Sequence, residues 1–211
     1  MVQLLHDSGV GEGVTVGTGG AGMLVNYQTI ACWGDSQTLG ARTYGCYPLH
    51  LARILNTETR YAWQAINLSA NGHTVRNLWL RLPHDLAVLS DVYQACVLIG
   101  ANDVGNESPL ELFAEYYRQI LQALRVRRFR AVFCAEIPPI WADGHAFFSA
   151  ESERRRGAYN EQIAAVVAAT PVARLVKLDD LGAECFCDPV HPSETGNVQI
   201  AERFARAIMA F

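Results

Sequence analysis

Five short runs of apolar and β-branched residues recur along the chain, at Thr29 to Trp33, Tyr61 to Leu68, Ala95 to Ile99, Arg130 to Ile137 and Ala173 to Leu178. Their length and composition predict core strands. Between them the apolar period changes. Leu110, Phe113, Tyr117, Ile120, Leu121 and Leu124 recur every three or four residues and predict a helix. Ser108 as its cap, Pro109 at its first position and Glu111 two residues on give it a well-marked start. After Pro192 the same period returns in Ala201, Phe204, Ala205 and Ile208, which predicts a closing helix docked on the body.

Strands alternating with helical crossovers imply a parallel sheet covered on both faces, hence a three-layer α/β/α sandwich with a five-stranded parallel sheet. In such sheets ligands bind beyond the carboxyl ends of the strands, near the point where strand order reverses. Four polar motifs fall at such places. Gly34-Asp35-Ser36 follows the first strand, Asn67 to Thr74 with Gly72 inside it ends the second, Gly100-Ala101-Asn102-Asp103 follows the third, and Asp188-Pro189-Val190-His191 follows the fifth.

Together these motifs supply what acyl transfer needs: a nucleophile (Ser36), a base (His191), an orienting acid (Asp188) and two oxyanion donors, the Gly72 N–H and the Asn102 amide. The Asp-to-His spacing lets the carboxylate accept the imidazole N–H and hold the tautomer whose other nitrogen takes the serine proton. Each motif alone has a plainer reading. Gly-Asp-Ser is also turn chemistry. Asp188 and His191 would suit an exposed turn before a helix, and Asn67, Asn71 and Asn102 would suit loop and turn capping. The conjunction of four motifs, in order and all at element junctions, favours the chemical reading.

Composition narrows the setting. A chain of 211 residues, half of them hydrophobic, buries a sizeable core and has no stretch resembling an interdomain linker. A formal charge of −4 with a pI near 5.8 argues against nucleic acid as a partner. The basic clusters Arg125-Val126-Arg127-Arg128 and Arg154-Arg155-Arg156 read as solvated helix faces or ends. No apolar stretch is long enough for a membrane span, and the first 30 residues lack the basic and apolar blocks of an export signal. Cys32, Cys96 and Cys134 sit within strand-like runs and read as buried free thiols. That favours a reduced compartment such as the cytoplasm; a secreted chain that had lost its signal would look the same.

Two other chemistries are suggested by spacing. Gly17-Thr18-Gly19-Gly20-Ala21-Gly22 fits a dinucleotide-binding string, but the next strand follows too closely for a crossover helix, and the segment reads as a flexible N-terminal stretch. Cys185, Cys187 and His191 would be candidate metal ligands, yet no second Cys or His pair completes a structural zinc set and a catalytic zinc would consume His191. No organic cofactor or metal is therefore expected. The absence of Gly-x-Ser-x-Gly argues against the nucleophile elbow of α/β-hydrolases.

At this point the sequence resembles the SGNH hydrolases, or GDSL esterases and lipases. Gly34-Asp35-Ser36 matches the family's first block. Asn67-Leu68-Ser69-Ala70-Asn71-Gly72-His73-Thr74 matches its second, Gly100 to Asp103 its third, and Asp188 to His191 its fifth. The resemblance implies a flavodoxin-like SGNH fold with strand order 2-1-3-4-5. It also implies a triad of Ser36, Asp188 and His191, and an oxyanion hole formed by the Ser36 N–H, the Gly72 N–H and Asn102. Ser69 and Asn71 depart from the usual glycine and serine of the second block, and Gln37-Thr38 from the usual continuation of the first. Residues 29–211 would form the hydrolase domain and residues 1–28 an extension without a match. The expected activity is hydrolysis of a small or medium acyl ester, a small-molecule substrate. Alternatives on the same fold are a carbohydrate acetyl esterase, a thioesterase or lysophospholipase, and a non-catalytic binding domain.

Overall fold

The structure, a computed structural model, describes residues 13–16, 23–141 and 147–211. A short strand, β1 (Gly13–Val16), lies antiparallel to the start of a long one, β2 (Met23–Gly34), with Gly13 opposite Asn26 and Val16 opposite Met23. The remaining strands are β3 (Ala62–Ser69), β4 (Gln94–Leu98), β5 (Ala131–Ala135) and β6 (Ala173–Val176). With β2 they form a parallel sheet in the order β3-β2-β4-β5-β6, the 2-1-3-4-5 order expected of the five strands read from sequence. The helices are α1 (Ser36–Leu39), α2 (Tyr47–Glu58), α3 (Val75–Val88), α4 (Ala101–Gly105), α5 (Leu110–Val126), α6 (Ala150–Ala168) and α7 (Glu194–Met209).

Alternation along β2 divides the core in two. Ile30 and Cys32 face one side, where Tyr47, Leu51 and Leu55 of α2 meet Ile200 and Phe204 of α7. Ala31 and Trp33 face the other, packed with Leu78 and Leu82 of α3, Phe113 and Leu121 of α5 and Ile163 of α6. Both faces are covered, which is why the strands read as continuous apolar runs. Tyr47 and Phe204 stack with centroids 4.9 Å apart, a contact worth about 0.5–1.5 kcal/mol beyond the area it buries. It fastens the closing helix beside the element that follows the first motif. Cys32, Cys96 and Cys134 are free and buried, and Cys32 sits opposite Cys96 across β2 and β4.

Two local expectations need correction. Helix α5 begins one residue later than expected, with Pro109 as its N-cap and no side-chain cap. Ser108 is used elsewhere: its hydroxyl bonds the Asp103 carboxylate and its carbonyl accepts from the Tyr159 hydroxyl. The first core strand also starts earlier than Thr29, at Met23, because its leading residues pair with β1. Gly17 to Gly22 lie outside the described residues, but the chain resumes at Met23 as a strand and not as the helix a dinucleotide site requires.

Candidate active site

Ser36 is the first residue of α1, immediately beyond the carboxyl end of β2. A Cβ on Gly34 would lie 2.0 Å from Thr38 Oγ1 and 2.2 Å from the Leu98 carbonyl. Only glycine lets the strand turn so tightly into the helix. Asp35 caps that helix, one carboxylate oxygen accepting the Gln37 N–H at 2.9 Å, while the other is buried without a hydrogen-bond partner. Burial pushes the Asp35 carboxyl up to about 7, opposed by the Gln37 N–H and reinforced by the nearby charge of Asp103. Asp103 is itself pushed up to about 6 by burial, against the pull of the Val75 N–H and the Ser108 hydroxyl.

The loop between β6 and α7 brings the last motif to the same edge. His191 Nε2 lies 3.0 Å from Ser36 Oγ, and His191 Nδ1 lies 2.7 Å from Asp188 Oδ2. With a carboxylate on Nδ1 the imidazole proton belongs there, which leaves Nε2 as the acceptor for the serine hydroxyl. The other carboxylate oxygen, Asp188 Oδ1, accepts the N–H groups of Val190 at 3.0 Å and His191 at 2.8 Å. Partial burial works to raise the Asp188 carboxyl. These amides and His191 outweigh it and hold the group below the usual carboxylate range.

Gly72 lies in the loop after β3, and Asn102 lies in α4, which follows β4. Gly72 has φ +73°, and a Cβ there would meet nothing within 4 Å, so the left-handed backbone and not space calls for glycine. Asn102 Nδ2 donates to the His73 carbonyl at 3.0 Å, tying α4 to the loop that carries Gly72. Asp103 Oδ2 accepts the Val75 N–H at 2.9 Å, so the start of α3 hangs from the same motif. Asn67 Nδ2 donates to the Thr38 carbonyl at 3.0 Å, while its Oδ1 accepts from the Ser69 N–H at 3.2 Å and from the Ser69 hydroxyl. The serine that departs from the family pattern therefore holds Asn67 in place.

Other candidates stay apart. Cys185 is buried in the core, and the Cys187 thiol faces the His191 carbonyl and not its ring. Among the described residues no group of three or more His, Cys, Asp or Glu side chains is gathered as metal ligands. Asp180, the nearest rival acid, pairs with Arg203 at 2.8 Å. Ser193 caps α7. In the loop after β5, Trp141 keeps a partly exposed ring tilted against Phe186, while Phe148 packs on the core and Phe147 closes over Gly105. Ala142 to Ala146, the middle of the expected pocket wall, lie outside the described residues. Arg154 pairs with Glu151 on the surface of α6, whereas Arg156 is largely buried rather than solvated, pairing with Glu153 and donating to the Ile137 carbonyl at 2.9 Å.

Sequence reasoning missed three residues that hold the site. Gln37 Nε2 donates to the Val190 carbonyl at 2.8 Å and so joins the helix of Ser36 to the loop of His191. Asp103 suspends α3, and Arg42 Nε lies 2.7 Å from Asp188 Oδ2. Gln37 was visible as a departure beside Ser36; nothing in the sequence marks Arg42.

The strand order defines a flavodoxin-like three-layer α/β/α fold, with this row of side chains at the carboxyl edge of its sheet. Residues 32–198 match the model of the GDSL-like lipase/acylhydrolase family, and the chain belongs to that family. It is a carboxylic ester hydrolase acting on a small-molecule ester. Among solved structures it is similar to the acetyl xylan esterase AlAXEase, at 21% identity and TM-score 0.70 over 85% of this chain and 99% of that one. It is also similar to Axe2, an acetylxylan esterase from Geobacillus stearothermophilus, at 19% identity and TM-score 0.71 over 86% and 94%. TesA matches at 18% identity and TM-score 0.71 over 87% and 99%. At these identities the likeness is one of fold. No curated protein matches the sequence. No helix among the described residues is long and apolar enough to cross a membrane.

Proposed function

We propose that the chain hydrolyses small or medium acyl esters through an acyl-enzyme on Ser36, with residues 29–211 as the catalytic domain and residues 1–28 as an extension of it. The observation that carries this reading is the continuous row Ser36 Oγ, His191, Asp188, with gaps of 3.0 and 2.7 Å. Ser36 Oγ attacks the ester carbonyl as its proton passes to His191 Nε2, and the imidazolium is steadied by Asp188 through Nδ1. The developing oxyanion accepts from the Ser36 N–H, the Gly72 N–H and Asn102. The Asn102 amide carries two N–H groups, so one holds the His73 carbonyl while the second serves the oxyanion. His191 returns its proton to the leaving alcohol. Water, deprotonated by the same base, then attacks the acyl-enzyme and frees Ser36. No cofactor enters these steps.

The loop after β5 supports an apolar wall for the acyl group. The Trp141 backbone N–H donates to the Pro189 carbonyl at 2.8 Å, which sets the residue, with its partly exposed indole, beside the loop of His191. The test is labelling with a fluorophosphonate followed by peptide mapping. The adduct is expected on Ser36, and Ser36→Ala is expected to lose both labelling and turnover. An adduct on Ser69 or Ser193 would overturn the assignment. A panel of acyl chain lengths together with an acetylated carbohydrate then reads the substrate class.

A further inference from the structure

The triad acid does not serve the imidazole alone. Asp188 Oδ2, the oxygen that meets His191 Nδ1 at 2.7 Å, is also 2.7 Å from Arg42 Nε. The contact joins residues far apart in sequence. The arginine is held for it, since Arg42 has φ +70°, a left-handed backbone that a side chain with a Cβ adopts reluctantly. Such strain persists only where the surroundings over-determine it, and here they do. The N–H groups of Gly40 and Ala41 both return to the Ser36 carbonyl, at 3.2 and 3.0 Å. Thr43 Oγ1 donates across the turn to the carbonyls of Gly40 and Gly45. Beyond them Glu194 Oε1, from the first turn of α7, accepts the N–H groups of Tyr44 at 2.7 Å and Gly45 at 3.0 Å. The loop is thus tied to the nucleophile at one end and to the helix following the base at the other, with Arg42 between.

We propose that Arg42 is a positioning residue which shares the Asp188 carboxylate with His191 and thereby sets how far into acid pH the imidazole stays available as a base. The inference rests on the roles given above to Ser36, His191 and Asp188. A fixed cation on the shared oxygen repels any second cation placed on Nδ1. The same sharing weakens the carboxylate's hold on the imidazolium that forms during attack, so the device trades some rate for activity at lower pH. Cys187, next to Asp188 in its loop, has a thiol pushed up by burial and by Asp188 and pulled down by Arg42, while Glu194 of α7 and His50 of α2, 3.8 Å from it, lie on the far side of the loop of Arg42. Asp35 adjoins Ser36 in sequence and is fully buried.

Two cations bonded to one oxygen are about 5 Å apart, and at the high effective dielectric of a side chain 67% exposed their repulsion amounts to about half to one pH unit. The test compares Arg42→Asn, which removes the charge and tolerates left-handed backbone, with Arg42→Lys, which keeps the charge. Each is assayed as kcat/KM against pH on 4-nitrophenyl acetate, a neutral ester followed at its isosbestic wavelength. The acid limb is expected to move upward by about half to one pH unit in Arg42→Asn and to stay near the wild-type position in Arg42→Lys. In the wild type, raising salt to about 1 M, where the Debye length is roughly 3 Å, is expected to move the limb the same way. This last measurement needs no variant to fold. Coincident limbs in Arg42→Asn and wild type overturn the proposal, as does an equal movement in both variants, which would mean shape and not charge. A raised KM with an unmoved limb also overturns it, in favour of a substrate contact. Ser36→Ala is assayed alongside: if it retains turnover the nucleophile assignment fails, whereas an inactive Ser36→Ala with an unmoved Arg42→Asn limb removes only the role of Arg42.

Discussion

The carboxyl of Asp35 sits fully buried next to Ser36 in the chain, raised from 3.8 to about 7, chiefly by burial. That ties stability to pH with a definite sign. A carboxyl whose folded value lies above its unfolded one favours the folded state most while both forms hold the proton. The advantage is present in full below about 3.8 and is lost as pH rises through about 7. A shift of roughly three units, at about 1.36 kcal/mol per unit, corresponds to about 4 kcal/mol, of which roughly 3–4 kcal/mol is lost between pH 4 and pH 8. Asp35→Asn removes the ionisation while its Oδ1 still caps the Gln37 N–H. Any cost of burying the amide is the same at every pH, so the difference between the two proteins isolates the titration. Urea unfolding at pH steps from 4 to 8, followed by circular dichroism and tryptophan fluorescence to verify a single transition, is expected to show Asp35→Asn gaining on the wild type by a few kcal/mol across the range. Asp103 lies close enough to raise Asp35 further, so Asp103→Asn is expected to shrink the effect. A stability difference between wild type and Asp35→Asn that stays constant within about 1 kcal/mol from pH 4 to 8 would refute the argument, since it would mean that burial does not hold the proton.

The other expectations concern turnover. Asn102→Ala is expected to lower kcat by roughly 10²–10³ with little change in KM, because the donor acts mainly in the transition state; an unchanged kcat would leave Asn102 with only its bond to the His73 carbonyl. Asp188→Asn is expected to cost orders of magnitude in kcat and Asp180→Asn almost nothing, and steady-state kinetics showing the reverse order in folded proteins would discard the Asp188–His191 pairing. Gln37→Leu removes the bond to the Val190 carbonyl; it is expected to leave a folded protein with slower labelling of Ser36 by fluorophosphonate, and wild-type labelling would show that bond to be dispensable. Prolonged dialysis against a chelator is expected to leave kcat/KM unchanged, whereas activity lost on dialysis and restored by zinc would favour metal chemistry.

The parallel strands were readable because both faces of the sheet are covered: Ile30 to Trp33 alternate between the two cores, and both sides demand apolar residues. The positions of Ser36, Gly72, Asn102 and His191 were readable for a related reason. Each directly follows a strand or lies in the loop after one, and a parallel sheet brings all such loops to one edge. What escaped is what depends on angles and distances that no local pattern encodes. Arg42 reaches Asp188 only because a turn with φ +70° aims it there. Gln37 reads as a neighbour of Ser36, yet its amide meets a carbonyl 153 positions later. The β1 strand was lost among glycines, since Val14-Thr15-Val16 is too short a run to stand out. Ser108 looked like a cap because it precedes Pro109, but the buried Asp103 engages its hydroxyl first.

The 155 positions between Ser36 and His191 also order events in time. A ribosome adding about 5–20 residues per second needs roughly 8–30 s to pass from one to the other. On the roles proposed for Ser36 and His191, the emerging chain carries the serine throughout that interval without its partner imidazole. The loop of His191 is placed by α7, through the Ser193 cap, the Glu194 clasp and the stacking of Phe204 on Tyr47. On that proposal, hydrolytic competence arrives with the docking of the final helix, and a chain cut before α7 is expected to leave Ser36 unlabelled by a fluorophosphonate.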